Sequence, residues 1–258
     1  MGEAVLMGKL KKLAIAGVCR TLLGVSAAYA DTSTVGEPAL VAAEAWAYKL
    51  TPSYYVTTNT KDATDVNLRA NYAAHAVWVG YYRRDSEFEQ TRVGYEYTAQ
   101  FPHIQLVPSL QLATHGFAGG SINAQIGDSI YALLGFGRTN TQDYYNLNFD
   151  PNDSVVYGAG TSLLPESTLS LFSVKDNRLD TEQVVTHLVW RMLPDAQHRW
   201  TVDISSKQGR ATPDDESVSG MAVSITYDNR DMFFRFAQDN KVNFTPEDQT
   251  RFTVGIRF

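Results

Sequence analysis

The ten residues from Gln249 to Phe258 alternate without a fault. Phe252, Val254, Ile256 and Phe258 fall on one face of an extended chain, while Arg251, Thr253, Gly255 and Arg257 fall on the other. A period of two is the signature of a β-strand whose two faces meet different surroundings. The same alternation recurs from Ala45 onward. Trp46, Tyr48, Leu50, Tyr54 and Val56 oppose Lys49, Thr51 and Ser53; Val93, Tyr95 and Tyr97 oppose Arg92, Gly94 and Glu96. Further on, Trp200, Val202 and Ile204 oppose Arg199, Thr201, Asp203, Ser205 and Lys207. One apolar face and one charged face on almost every segment fit either a sandwich with wet outer sheets or a barrel with a wet interior.

The N-terminal segment favours the second. Lys9, Lys11 and Lys12 precede a mostly apolar stretch over 13–28, and Ala28-Tyr29-Ala30 offers a small-x-small cleavage site. This is the pattern of a secretory signal peptide, with Met7 as its natural start and Arg20 as its one blemish. Cys19 is preceded by Val18 rather than a small residue, which argues against lipidation. Residues 1–30 are therefore expected to be removed and 31–44 to form a periplasmic tail before a barrel over 45–258. The chain beyond residue 30 has no cysteine, so packing and the backbone ladder must hold it without disulfides. The net charge of −6 becomes more negative once Lys9, Lys11, Lys12 and Arg20 are lost, which argues against nucleic acid as a partner.

A chain ending on an apolar aromatic residue of an alternating strand resembles the closing strand of bacterial outer-membrane β-barrels, a porin-like superfamily. The resemblance implies that Phe258 is part of the signal read by the assembly machinery. It also implies that the apolar faces meet lipid and the charged faces a polar lumen. The expected fold is all-β, an up-and-down antiparallel transmembrane barrel of fourteen strands. Twelve is the alternative if a hairpin merges within 66–82 or 118–138. Connections near 74, 101, 128, 165, 195 and 229 read as short periplasmic turns. Those near 61, 86, 117, 147, 179, 212 and 244 read as longer outward loops. Trp46, Trp78, Trp190 and Trp200 fall at expected periplasmic strand ends, with Tyr54, Tyr55, Tyr81 and Tyr82 near the outer ends, as interfacial aromatic belts require.

The inward faces then carry Lys49, Arg92, Glu96, Arg191, Arg199, Asp203, Lys207, Arg235, Arg251 and Arg257. A lumen rich in guanidinium groups would favour small anionic solutes such as acidic sugars or organic acids. Alternatively, these cations pair with Glu96, Asp203 and their neighbours as a polar filling. The longest stretch without alternation, Asn140–Asp153, carries Tyr144, Tyr145 and Phe149 and ends in Asp150-Pro151-Asn152-Asp153, which reads as a turn rather than a cation site. Its aromatic part could fold inward and narrow a pore. Outer-membrane lipid hydrolases resemble one another in a His and a Ser two residues apart. His115 and Ser121 lack that spacing, so no catalytic residue is assigned. His187 reads as a lumen or interface residue, and His75, His103 and His198 as rim residues. Neither a phosphate-binding glycine loop nor a zinc-type cluster is present, so no cofactor or metal is expected. The expected partners are outer-membrane lipid, lipopolysaccharide, the assembly machinery and small anionic solutes. A porin-like channel leads, a plugged structural or surface-binding barrel follows, and a lipid-modifying enzyme is last.

Overall fold

The computed structural model describes residues 45–258. The signal peptide and the 31–44 tail lie outside the described residues. Fifteen strand segments follow in order: β1 Ala47–Thr57, β2 Ala63–Tyr72, β3 His75–Arg84, β4 Phe88–Tyr97, β5 Ala99–Phe101, β6 Ile104–Ala113, β7 Ala118–Gly127 and β8 Ile130–Thr139. The second half holds β9 Ser154–Thr161, β10 Ser167–Asp176, β11 Val184–Met192, β12 His198–Gly209, β13 Val218–Asn229, β14 Met232–Asp239 and β15 Gln249–Arg257. Consecutive strands pair antiparallel except β4 with β5, both of which pair with β6, and β1 pairs with β15, so the sheet closes on itself.

The stave count is fourteen, because β4 and β5 are one strand. Glu96 pairs with Ser109 and Ala99 with Leu106, so the register across β6 runs on unbroken. The gap faces Pro108, which has no N–H to give to the ladder. Pro52 does the same on β1: pairing with β15 lapses between Leu50↔Ile256 and Ser53↔Thr253 and resumes in the same register. The closing strand is fully engaged, since Tyr48 and Phe258 exchange backbone hydrogen bonds at 2.8 and 3.0 Å and stack their rings at 5.7 Å. At the end of the barrel that holds the termini the turns are short: 73–74, 102–103, 128–129 and 230–231, with 162–166 and 193–197 slightly longer. At the other end the connections reach 140–153 and 240–248.

Exposure follows the alternation. On β2, Ala63, Asp65, Asn67 and Arg69 are buried while Val66 and Leu68 are exposed. Large apolar side chains such as Leu110, Leu171, Phe236, Phe252 and Ile256 cover the outside. A sheet that is apolar outside and polar within is stable where lipid surrounds it and every backbone group is paired. Trp46, Trp190 and Trp200 stand on this outer face, as do Tyr54 and Tyr81. Trp78, Tyr55 and Tyr82 do not. They occupy inward positions and are buried, which corrects their assignment to the belts. Strand parity places them: a residue one position away from a lipid-facing neighbour points into the barrel whatever its chemistry.

Trp78 is accommodated by Gly94 on β4, where an added Cβ would stand 2.2 Å from the indole ring. Gly94→Ala is expected to lower stability by about 1–3 kcal/mol through overpacking. Combining it with Trp78→Leu should recover most of the loss, as measured by urea unfolding in lipid vesicles.

Candidate permeation pathway

Every residue expected in the lumen lies on an inner face, and each has a definite setting. Arg92 is fully buried and pairs with Asp65 at 2.5 Å. Glu96 pairs with Arg69 at 2.5 Å. Lys207 pairs with Asp239. Arg199 and Arg257 share Asp228, each at 2.7 Å. Lys49, Arg235 and Arg257 gather around the ring of Phe233 at 5.7, 6.0 and 5.7 Å, distances at which cations are attracted to a π face. The acids that balance the cations are mostly Asp65, Asp228 and Asp239, which, like Arg69, lie outside the expected lumen set. Their positions were signalled by alternation, Asp65-x-Asn67-x-Arg69 against Val66-x-Leu68.

The inner charges are unevenly spread along the barrel. Towards the termini stand Lys49, Arg69, Arg191, Arg199, Arg235 and Arg257, with Glu96 and Asp228 as acids. Towards the loop end stand Arg84, Arg92, Lys207 and Arg251, facing Asp65, Asp176 and Asp239 on the wall. The loop 140–153 brings Asp150 and Asp153 to that same end, so positive charge concentrates in the half beyond it.

That loop leaves β8 and crosses the interior before joining β9. Its base is fixed at Asp153, whose carboxylate accepts from Thr139 N at 2.9 Å, Thr139 Oγ1 at 2.5 Å and Arg178 Nη2 at 2.8 Å. Its bend is shaped by Asn146, whose Oδ1 accepts from the backbone N–H groups of Asn148 and Phe149 at 2.9 and 3.1 Å, and by Phe149 at φ 63°. Tyr144 stacks on Phe117 at 4.3 Å and Tyr145 on Tyr82 at 3.8 Å, with Tyr55 edge-on to Tyr145 at 6.1 Å. Burial pushes the Tyr145 phenol well above its ordinary pKa, so it stays protonated beside Gln249. Gln90 grips the same turn twice, donating to Asp143 O at 3.3 Å and accepting from Tyr145 N at 3.2 Å. Arg251 donates to Leu147 O at 3.0 Å.

The far side of the loop reaches β11 and β12. His187 Nε2 lies 3.1 Å from Asp150 Oδ1, and Nδ1 lies 3.1 and 3.2 Å from the two oxygens of Asp203. An ionised carboxylate only accepts, so with Asp150 and Asp203 ionised both ring nitrogens donate and His187 joins the loop to the wall. Its ring is parallel to Phe172 at 4.9 Å. A cavity of about 50 Å³ remains between the loop and this wall, lined by Phe149, His187, Asp203, Ser205, Lys207 and Arg251. The rim histidines lie near the termini end: His75 binds Tyr95 Oη at 2.7 Å, and His103 and His198 bind Asp128 and Asp195. Ser121 shares a hydrogen bond with Ser109 at 2.7 Å, and His115 packs by Phe88.

A solved structure shares this fold. The Acinetobacter baumannii outer membrane protein Omp33 superimposes with a TM-score of 0.53 at 10% identity, over 83% of this chain and 98% of that one. The fold is that of a bacterial outer-membrane β-barrel. The NanC porin matches with a TM-score of 0.48 at 7% identity, over 80% of this chain and 98% of that one. The KdgM porin matches at 0.47 and 8%, over 81% and 99%. No protein-family model matches the sequence, and no curated protein matches it.

In this barrel, His187→Phe keeps a ring against Phe172 but leaves the buried Asp150 and the part-buried Asp203 without their shared donor. Removing one member of a buried ionic group costs about 3–5 kcal/mol. The loop should loosen, and maleimide labelling of an Asn148→Cys background should be faster in the His187→Phe variant than in its parent.

Proposed function

We propose that this barrel is a narrow, porin-like channel of the bacterial outer membrane for small anionic solutes. The observation that carries the reading is the loop 140–153 laid across the interior, with the inner wall beyond it dominated by cations. A loop held inside a barrel sets the cross-section, and the wall charge then decides which ions enter that section. A solute would pass between the loop and the β11–β15 wall towards Arg199, Arg235 and Arg257 near the termini. Guanidinium groups offer carboxylates paired donors, which holds such solutes more specifically than a point charge would. In the same reading, lipid surrounds the apolar outer face, lipopolysaccharide borders the long loops, and the assembly machinery reads the final strand with Phe258.

The alternative, a structural barrel with a closed interior, draws support from the nearly inaccessible pairs Arg92–Asp65 and Lys207–Asp239. Single-channel recording in planar bilayers decides between them. Discrete steps with anions more permeant than cations are expected, and complete absence of steps would remove the channel reading. Deleting 142–149 should raise the conductance. Arg199→Ala should lower the anion-to-cation permeability ratio, and the ratio should fall towards unity in 1 M salt, where the screening length is about 3 Å.

A further inference from the structure

Two buried donors on the inner wall meet no acceptor. Arg191, near the termini end of β11, is 6% exposed, and its Nη1 has no hydrogen-bond partner among the described residues. Tyr131, on β8, is 2% exposed and equally without a partner at Oη. The strands between them are cut low. Gly160 of β9 lies directly beneath the phenol: a Cβ there would stand 2.3 Å from Oη. Gly160 pairs with Ser170 of β10, and two residues away on the same face Thr168 pairs with Arg191. The phenol thus reaches across the glycine towards the guanidinium. On the far side Arg191 pairs with Thr201 of β12, which places Arg199 diagonally adjacent on the inner face. The nearest acid in register, Asp203, turns both oxygens to His187, and Arg199 holds Asp228.

The arrangement presents a guanidinium N–H and a phenolic O–H with a second guanidinium alongside. A buried charge left without a counter-charge is costly, and an anion of matching size removes the cost. We propose that Arg191 and Tyr131, flanked by Arg199, form a binding subsite for a compact anion, a carboxylate group above all. Nη1 and Oη each donate to one oxygen. Leu133, Val156 and Val174 pack around Tyr131 and keep the phenol side dry, which strengthens both hydrogen bonds. The subsite rests on the channel reading for its place along a solute's path, whereas its binding of an anion can be measured without conduction.

Saturation-transfer NMR with acetate, on the purified barrel in detergent micelles, reads that binding. Saturable transfer to the acetate methyl group is expected in the wild type. Affinity should drop by about tenfold or more in both Arg191→Met and Tyr131→Phe, the factor carried by a charge-assisted hydrogen bond. Arg83→Met, at an exposed arginine, should bind as the wild type does. No acetate binding by the wild type, or unchanged binding in Tyr131→Phe, would overturn the proposal. Tyr131→Phe keeps its ring on Gly160 and decides the matter even if Arg191→Met fails to fold. Acetate binding without single-channel steps would leave the subsite standing and remove the channel. Anion-selective steps with acetate affinity equal in wild type and Tyr131→Phe would do the reverse.

Discussion

Everything in this molecule follows from the need to pair backbone groups where no water can reach them. In a hydrocarbon surround an unpaired N–H or C=O is expensive, and a closed antiparallel sheet is one of two ways to leave none. The seam between β1 and β15 is therefore as constrained as any other, and Phe258 is drawn into it by reciprocal bonds with Tyr48. The two prolines show how firm the constraint is. Pro52 and Pro108 each delete a donor, yet the register on either side does not move. A slip by one residue would turn every lipid-facing side chain inward, so the sheet tolerates a lost hydrogen bond before it tolerates a shifted strand.

Closure creates a second problem, because the interior must be filled or wetted. The wall answers with ion pairs that link neighbouring or next-neighbouring strands: Asp65 to Arg92, Arg69 to Glu96, Lys207 to Asp239. Such pairs are weak evidence for stability in themselves, since desolvation offsets much of the attraction. Asp65–Arg92 and Lys207–Asp239 balance charge in the loop half of the interior, and the cationic excess stays near the termini. The loop 140–153 is held by several modest contacts spread over β1, β3, β4, β11, β12 and β15. Its position is therefore a property of the closed barrel and not of the loop alone.

The staves, their number, their in-and-out parity and the contrast between short turns and long loops were legible in the chain, because alternation and turn residues act over a few positions. Parity also placed all of Lys49 to Arg257 in the interior. Trp78, Tyr55 and Tyr82 were misassigned when residue type was set above parity; a tryptophan suits an interface, but Gly94 opposite Trp78 makes room for it inside. The acids at Asp65, Asp228 and Asp239 obeyed the same parity, and nothing in composition said which cation each would meet.

The sequence alone determined a series of two-faced β-strands, since a period of two on segment after segment requires two different surroundings; their closure, β1 against β15, belongs to the tertiary structure. The tertiary structure alone decided where the aromatic loop lies, that His187 joins Asp150 to Asp203, and that the Tyr131 phenol lies over Gly160. Those contacts join strands far apart in the chain, and their geometry depends on barrel curvature and strand stagger, quantities that no local pattern encodes.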